Sequence, residues 1–271
     1  MPTMDIDGVE LWYEFEGEGT TPLVHLHGLA LGHMNFQYVT PYMRPHFKVL
    51  DYDMAGFGDS GLPPHPYSWQ DWTDELLKVM DRLGIDRAHV HATASAGPIG
   101  LQFAADHPDR VDRLVLSASF GRYDDMARVA SAAKRTIVRE FGMGETLAQI
   151  YAMEALTRPY LETEDGRSKI ATMTRTFAAQ DAATWLHVQE LRETVDVEPL
   201  LGRIVAPTLY INGDLDIMTP VDMGPSGLGM RRMADLTPNG VLDIIEGCGH
   251  LILGEAAEEA SARIVRFLLG D

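Results

Sequence analysis

Cysteine is nearly missing from this chain: Cys248 is the only one in 271 residues. No intrachain disulfide framework can form, and a reducing, cytoplasmic setting is the expectation. Basic residues are also scarce, with 22 Lys and Arg against 40 Asp and Glu, for a net charge of −18. That balance disfavours nucleic acid and anionic membrane surfaces as partners, and it weighs against a strongly anionic substrate. No apolar run approaches the roughly 18 residues that would read as a membrane span. The opening stretch MPTMDIDGVELWYEFEGEG has neither a basic leader nor an apolar core for export. Internal repeats and low-complexity tracts are missing too. These absences leave a soluble globular protein, monomer or homodimer, whose partner is a small molecule.

What is present is an alternation of strand and helix patterns. Residues 4–7 and 9–15 alternate in polarity around Gly8 and predict a hairpin. Strands are expected at Leu23–Leu26, Phe47–Tyr52, Val90–Ala94 and Val111–Ser117, and helices over 33–46 and 70–83. Gly84 ends the second of these helices. Strand-helix alternation of this kind predicts an α/β fold, with a mainly parallel sheet covered on both faces. The rhythm stops between Gly121 and Leu200, where periodic runs at 126–140, 144–156, 168–180 and 182–194 predict an all-helical insertion broken at Pro159. It resumes with strands at Thr208–Asn212 and Val241–Glu246 and a closing helix over Ala256–Leu269. The expected organisation is therefore a core of residues 1–120 and 200–271 with an insertion at 121–199.

The chemistry concentrates at the ends of predicted strands. In AHVHATASAGPIG (residues 88–100), Ser95 stands where a strand turns into a helix, which pushes its hydroxyl out of the ladder. Gly97 lets the helix pass close to the strand, Ala96 offers a backbone N–H to a developing oxyanion, and Pro98 fits a first helical turn. Asp53-Met54-Ala55-Gly56-Phe57-Gly58-Asp59-Ser60 follows another strand, Gly213-Asp214-Leu215-Asp216 a third, and Gly247-Cys248-Gly249-His250 a fourth.

Taken together these segments resemble the α/β-hydrolase fold family. Its G-x-S-x-G nucleophile elbow is matched around Ser95 with Thr93 in place of the first glycine, and its D-x-x-G-x-G-x-S loop is matched from Asp53 to Ser60. Ser95, Asp216 and His250 also follow the family's chain order of nucleophile, acid and histidine. The resemblance implies a central sheet bearing a helical cap, and catalysis by Ser95 with His250 as base and Asp216 orienting it, Asp214 being the competing acid. It further implies an oxyanion hole from the N–H groups of Leu29 and Ala96, with His27, Gly28 and Gly97 supporting the loops. His27 is read as a loop histidine held by its own hydrogen bonds, rather than as one of a metal pair with His25. Met153, Met173, Phe177 and Trp185 are the candidates for an apolar substrate wall.

The function these readings imply is hydrolysis of an ester or lactone of a small, partly apolar substrate through an acyl-enzyme, in the style of oxoadipate enol-lactonases and carboxylesterases. Carbon–carbon bond hydrolysis of a ring-cleavage product is the enzymatic alternative. A noncatalytic binding protein or a lyase on the same fold is the alternative of another class. No cofactor or metal is required by these residues, and Cys248 is read as a small core residue.

Overall fold

The computed structural model describes residues 2–28 and 31–270. Thr3–Ile6 (β1) and Val9–Glu16 (β2) form the predicted hairpin, whose turn residues Asp7 and Gly8 both have positive φ, 53° and 83°. Two consecutive left-handed residues give the turn that matches the twist of paired strands, which is why a short Asp-Gly pair suffices here. Pro22–Leu26 (β3), Lys48–Tyr52 (β4), Ala88–Thr93 (β5), Val111–Ser117 (β6), Thr208–Gly213 (β7) and Gly240–Ile245 (β8) complete an eight-stranded sheet in the order β1-β2-β4-β3-β5-β6-β7-β8. β1 and β2 pair antiparallel, as do β2 and β4; the remaining neighbours are parallel.

β5 is buried at every position, as a central strand covered on both faces must be. The covering helices include Thr40–Met43 (α1), Trp69–Arg82 (α2) and Gly97–Asp106 (α3). α2 starts in a capping box, Ser68 and Asp71 each satisfying the other's backbone N–H. One face of the sheet buries Leu76, Val79, Ile99 and Phe103 in a cluster with Val24, Val90 and Leu114. The other face buries Val39, Met43, Ile264 and Leu268 with Val49, Val115 and Ile211.

Between β6 and β7 the chain runs through Asp125–Phe141 (α4), Glu145–Ala155 (α5), Arg158–Leu161 (α6), Glu164–Ala178 (α7), Ala182–Thr194 (α8) and Glu198–Leu201 (α9). Residues from α4, α5, α7 and α8, including Val138, Tyr151, Phe177 and Trp185, form an apolar cluster of their own. Met230–Leu236 (α10), Ile252–Glu255 (α11) and Ala257–Leu269 (α12) follow in the last third. None of the helices among the described residues is long and apolar enough to cross a membrane.

The expected helix over 33–46 is not continuous. A 3-10 turn at Gly32–Phe36 precedes α1, which restarts with Pro41 in its first turn. Proline has no N–H to extend a preceding helix but suits the first turn of a new one. Four short helices, α6, α9, α10 and α11, were not expected from periodicity, because four to seven residues span too little of a helical repeat to show one.

Candidate active site

β3 and β5 lie side by side while their connections run to opposite sides, since β3 also pairs with β4 and β5 also pairs with β6. The crevice beyond the carboxyl ends of such a strand pair is where ligands settle in open parallel sheets. Two loops meet there, Gly28 after β3 and Ala94-Ser95 after β5, and both line one cavity of about 110 Å³.

The turn out of β5 falls one residue earlier than the expectation. Thr93 is ordinary extended backbone at φ −114° and ψ 147°, and Ala94 carries the positive φ, 50°. A non-glycine residue in that region costs roughly 1–2 kcal/mol, so the surrounding packing has to hold it there. Gly97 N–H and the Ser119 hydroxyl (2.7 Å) both donate to the Ala94 carbonyl. The small residues that let strand and helix approach are then Ala92, Ala96, Gly97 and Gly100. A Cβ on Gly97 would come within 1.8 Å of Ser119 Oγ, and one on Gly100 within 2.9 Å of the Ala92 Cβ. Thr93, which breaks the glycine pattern when Ser95 is taken as the hinge, is simply the last strand residue, its hydroxyl donating to Ser117 O at 3.2 Å. The hinge side chain is thus the methyl of Ala94, and Ser95 is the residue after it.

Ser95 is buried and lines the cavity, where its Oγ accepts a hydrogen bond from Arg192 Nη2 at 2.7 Å. Ala96 does not line the cavity. With the hinge at Ala94, the amide that follows it is that of Ser95, one residue before the Ala96 expected to supply it. Leu29, the other expected donor, lies outside the described residues.

Asp216 and His250 are brought together from the loops after β7 and β8. His250 Nδ1 lies 2.9 Å from Asp216 Oδ2 and 3.1 Å from the Thr219 hydroxyl, and both residues are buried. The Asp216 carboxylate also accepts from the N–H groups of Met218 and Thr219 and from the Thr219 hydroxyl. Burial alone would raise its pKa, but the adjacent His250 ring and the Thr219 donors hold it below the ordinary carboxylate value. Asp214 is exposed and accepts only a 3.3 Å bond from Cys248 N–H among the described residues. Cys248 is buried, and burial together with the nearby Glu255 pushes its thiol up to about 12.

His27 has the structural part expected of it. Its Nδ1 lies 3.0 Å from Gly28 O, and its Nε2 accepts from Met54 N–H at 2.9 Å, tying the β3 loop to the β4 loop. His25 instead meets Asp51 at 2.7 Å, so the two histidines do not form a pair. Asp53 shapes its loop by accepting from His33 N–H and Asp59 N–H. Potential ligand atoms of His33, Asp53 and Asp59 lie within 4.8 Å of one another, but both Asp53 oxygens already accept hydrogen bonds from His33 and Asp59.

Of the apolar wall, Met173 and Phe177 line the cavity, as do Phe120, Tyr123 and Tyr151. Met153 does not: it is 68% exposed on the outer face of α5. Trp185 does not either, being 0% exposed inside the apolar cluster of the inserted helices. Periodicity identifies an apolar face without saying which of its residues the cavity reaches. Arg192, Thr219 and Lys169 line the cavity and were missed. A signal existed for the first: the buried face of α8 is Trp185, Val188, Gln189 and Arg192, and two polar groups at i+4 and i+7 of an apolar stripe ask for a partner.

Sheet order, the crevice and an aspartate–histidine pair beyond β7 and β8 define an α/β-hydrolase fold. Residues 21–257 match that family, and the chain belongs to it. Among its relatives is the putative carbamate hydrolase RutD of Caulobacter sp. (strain K31), 29% identical over 83% of this chain and 82% of that protein. Another is the 2-hydroxy-6-oxononadienedioate/2-hydroxy-6-oxononatrienedioate hydrolase of Cupriavidus pinatubonensis, 28% identical over 93% of this chain and 88% of that one. The crystal structure of the enol-lactonase from Burkholderia xenovorans LB400 superposes with a TM-score of 0.86 at 25% identity, covering 99% of this chain and all of the other.

Proposed function

We propose that this chain hydrolyses an ester or lactone of a small, partly apolar compound, with His250 acting as general base on a water molecule. The observation that carries the reading is His250, backed by the buried Asp216 and lining the same cavity as a hinge whose side chain is only a methyl, Ala94. Asp216 accepts from Nδ1–H, which leaves Nε2 as the basic nitrogen. Nε2 takes a proton from water as the water oxygen bonds to the substrate carbonyl carbon. The resulting oxyanion is held by the backbone N–H after the hinge. Collapse breaks the bond to the leaving oxygen, which receives the proton from the imidazolium. In this reading residues 121–199 act as a cap, with Met173 and Phe177 against the substrate, over a core of residues 1–120 and 200–271.

A second reading is supported by Ser95 itself, whose Oγ lines the same cavity and accepts from a guanidinium, a contact that favours an alkoxide. Ser95 would then be the nucleophile of an acyl-enzyme. Carbon–carbon cleavage of a ring-cleavage product fits the same base, and a relative of that named activity exists.

Turnover of a panel of short p-nitrophenyl esters, lactones and ring-cleavage products is the test, with His250→Ala as the control. Hydrolysis of one class, reduced by about a thousandfold or more in the variant, is expected. Turnover unchanged in His250→Ala would refute the proposal, and no turnover of any class would favour a binding protein or lyase.

A further inference from the structure

We infer that the substrate carries a carboxylate, and that Arg192 is the residue that binds it. The inference deepens the hydrolase reading and rests on it for the word substrate, but the anion site stands on its own geometry. Arg192 comes from α8, is only 6% exposed, and lines the cavity beside the Ala94 hinge. Its hydrogen-bond partners are neutral: Nη2 donates to Ser95 Oγ at 2.7 Å and Nη1 to Gln189 Oε1 at 3.1 Å. The phenols of Tyr123 and Tyr151 are the other side chains that act on it. Its Nε is buried with no hydrogen-bond partner among the described residues.

A guanidinium cannot shed its charge by deprotonation, so burial without a counter-ion is costly unless one is supplied. The nearby carboxylates are engaged elsewhere. Asp216 is bound to His250 and Thr219, and Glu154, which acts on Tyr123, is paired with Lys134. The other cavity cation, Lys169, also has no hydrogen bond from its Nζ among the described residues, but it has the Asp165 carboxylate at 3.5 Å and sits 3.5 Å over the Tyr38 ring. Arg192 is therefore the cavity cation with no carboxylate in ion-pair range among the described residues, and the one left to a ligand's carboxylate. Its planar fork suits two parallel hydrogen bonds to a carboxylate. The −18 net charge of the chain does not oppose this, because exposed charges are screened over about 8–10 Å of salt solution whereas a buried pair is not.

The geometry sets the substrate's orientation. A carboxylate on Arg192 lies next to Ser95 and thus one residue from the hinge, so the scissile carbonyl belongs a few atoms along the same short chain. Monoesters or lactones derived from small dicarboxylic or hydroxy acids have this form.

Calorimetric titration of the full-length protein with pentanoate and with its neutral isostere pentanamide tests the site without turnover. Wild type is expected to bind pentanoate at least about tenfold more tightly than the amide. Arg192→Gln should bring the ratio to about one, Arg192→Lys should keep part of it, and Lys169→Met most of it. Equal affinities in wild type, no pentanoate binding up to about 10 mM, a preference that survives in Arg192→Gln, or one that Lys169→Met alone abolishes would each overturn the inference. Circular dichroism checks each fold; should Arg192→Gln not fold, the wild-type ratio and Arg192→Lys decide. His250→Ala should keep the acid preference, so a preference in a protein that turns over no ester would remove the hydrolysis and leave the site.

Discussion

Replacing Ser95 by alanine separates the two mechanisms by their magnitudes. If Ser95 is the nucleophile, the variant loses the covalent step, and kcat falls by about 10³–10⁶. If His250 activates water, no covalent step is lost, and the loss includes the 2.7 Å hydrogen bond donated by Arg192. A hydrogen bond to a charged group contributes about 1.5–3 kcal/mol, and leaving a buried donor unmet costs a similar amount. That cost falls on folding stability and on KM, since the freed Arg192 N–H points toward the cavity that the substrate occupies. The expected result is a kcat within about tenfold of wild type and a melting temperature lowered by several degrees. Steady-state kinetics on the best substrate of the panel gives kcat and KM, and intact mass after fluorophosphonate treatment reports a reactive serine. Ala94→Ser is the companion: it puts a hydroxyl on the hinge itself and should create a fluorophosphonate-reactive site that wild type lacks. A thousandfold fall in kcat for a folded Ser95→Ala, with wild type labelled on Ser95, would refute the water mechanism.

Two further outcomes follow from packing and charge. Burial pushes the Glu75 carboxyl up from 4.5 to about 8, although Ala55 N–H and Lys78 pull it back. The folded protein therefore keeps a proton that the unfolded chain releases, and stability declines as pH rises through the window between those values. Glu75→Gln should abolish that decline, a difference of about 2–5 kcal/mol by denaturant titration at pH 5 and pH 8; parallel pH profiles would contradict it. Gly97→Ala would bring a methyl within 1.8 Å of Ser119 Oγ and 2.9 Å of Leu116 Cδ1. Because Ser119 also holds the hinge carbonyl, the variant should lose about 1–3 kcal/mol of stability together with most activity, and unchanged thermal melting would count against this packing account.

The alternation of short apolar strands with periodic helices was legible because each pattern is local, and β6 and α8 fall where the residues alone put them. Asp216 and His250 were legible as loop residues after separate strands, while which of Asp214 and Asp216 meets the ring was not: Asp216 is the one buried against it. The wall was half legible: Met173 and Phe177 face the cavity, while Met153 and Trp185 share the same helical periodicity and do not.

By itself, then, the sequence determined the succession of the strands and of the longer helices, the family they resemble, and an acid and a histidine after two strands. These depend on spacing and residue type within a few positions of one another. Only the tertiary structure decided which residue is the hinge, because the end of β5 is set by its neighbours: Leu26 opposite Ala92 on one side, Ser117 opposite Thr93 on the other. It alone also brought Arg192 to Ser95 across 97 positions of chain, a meeting between α8 and the end of β5 that no local pattern encodes.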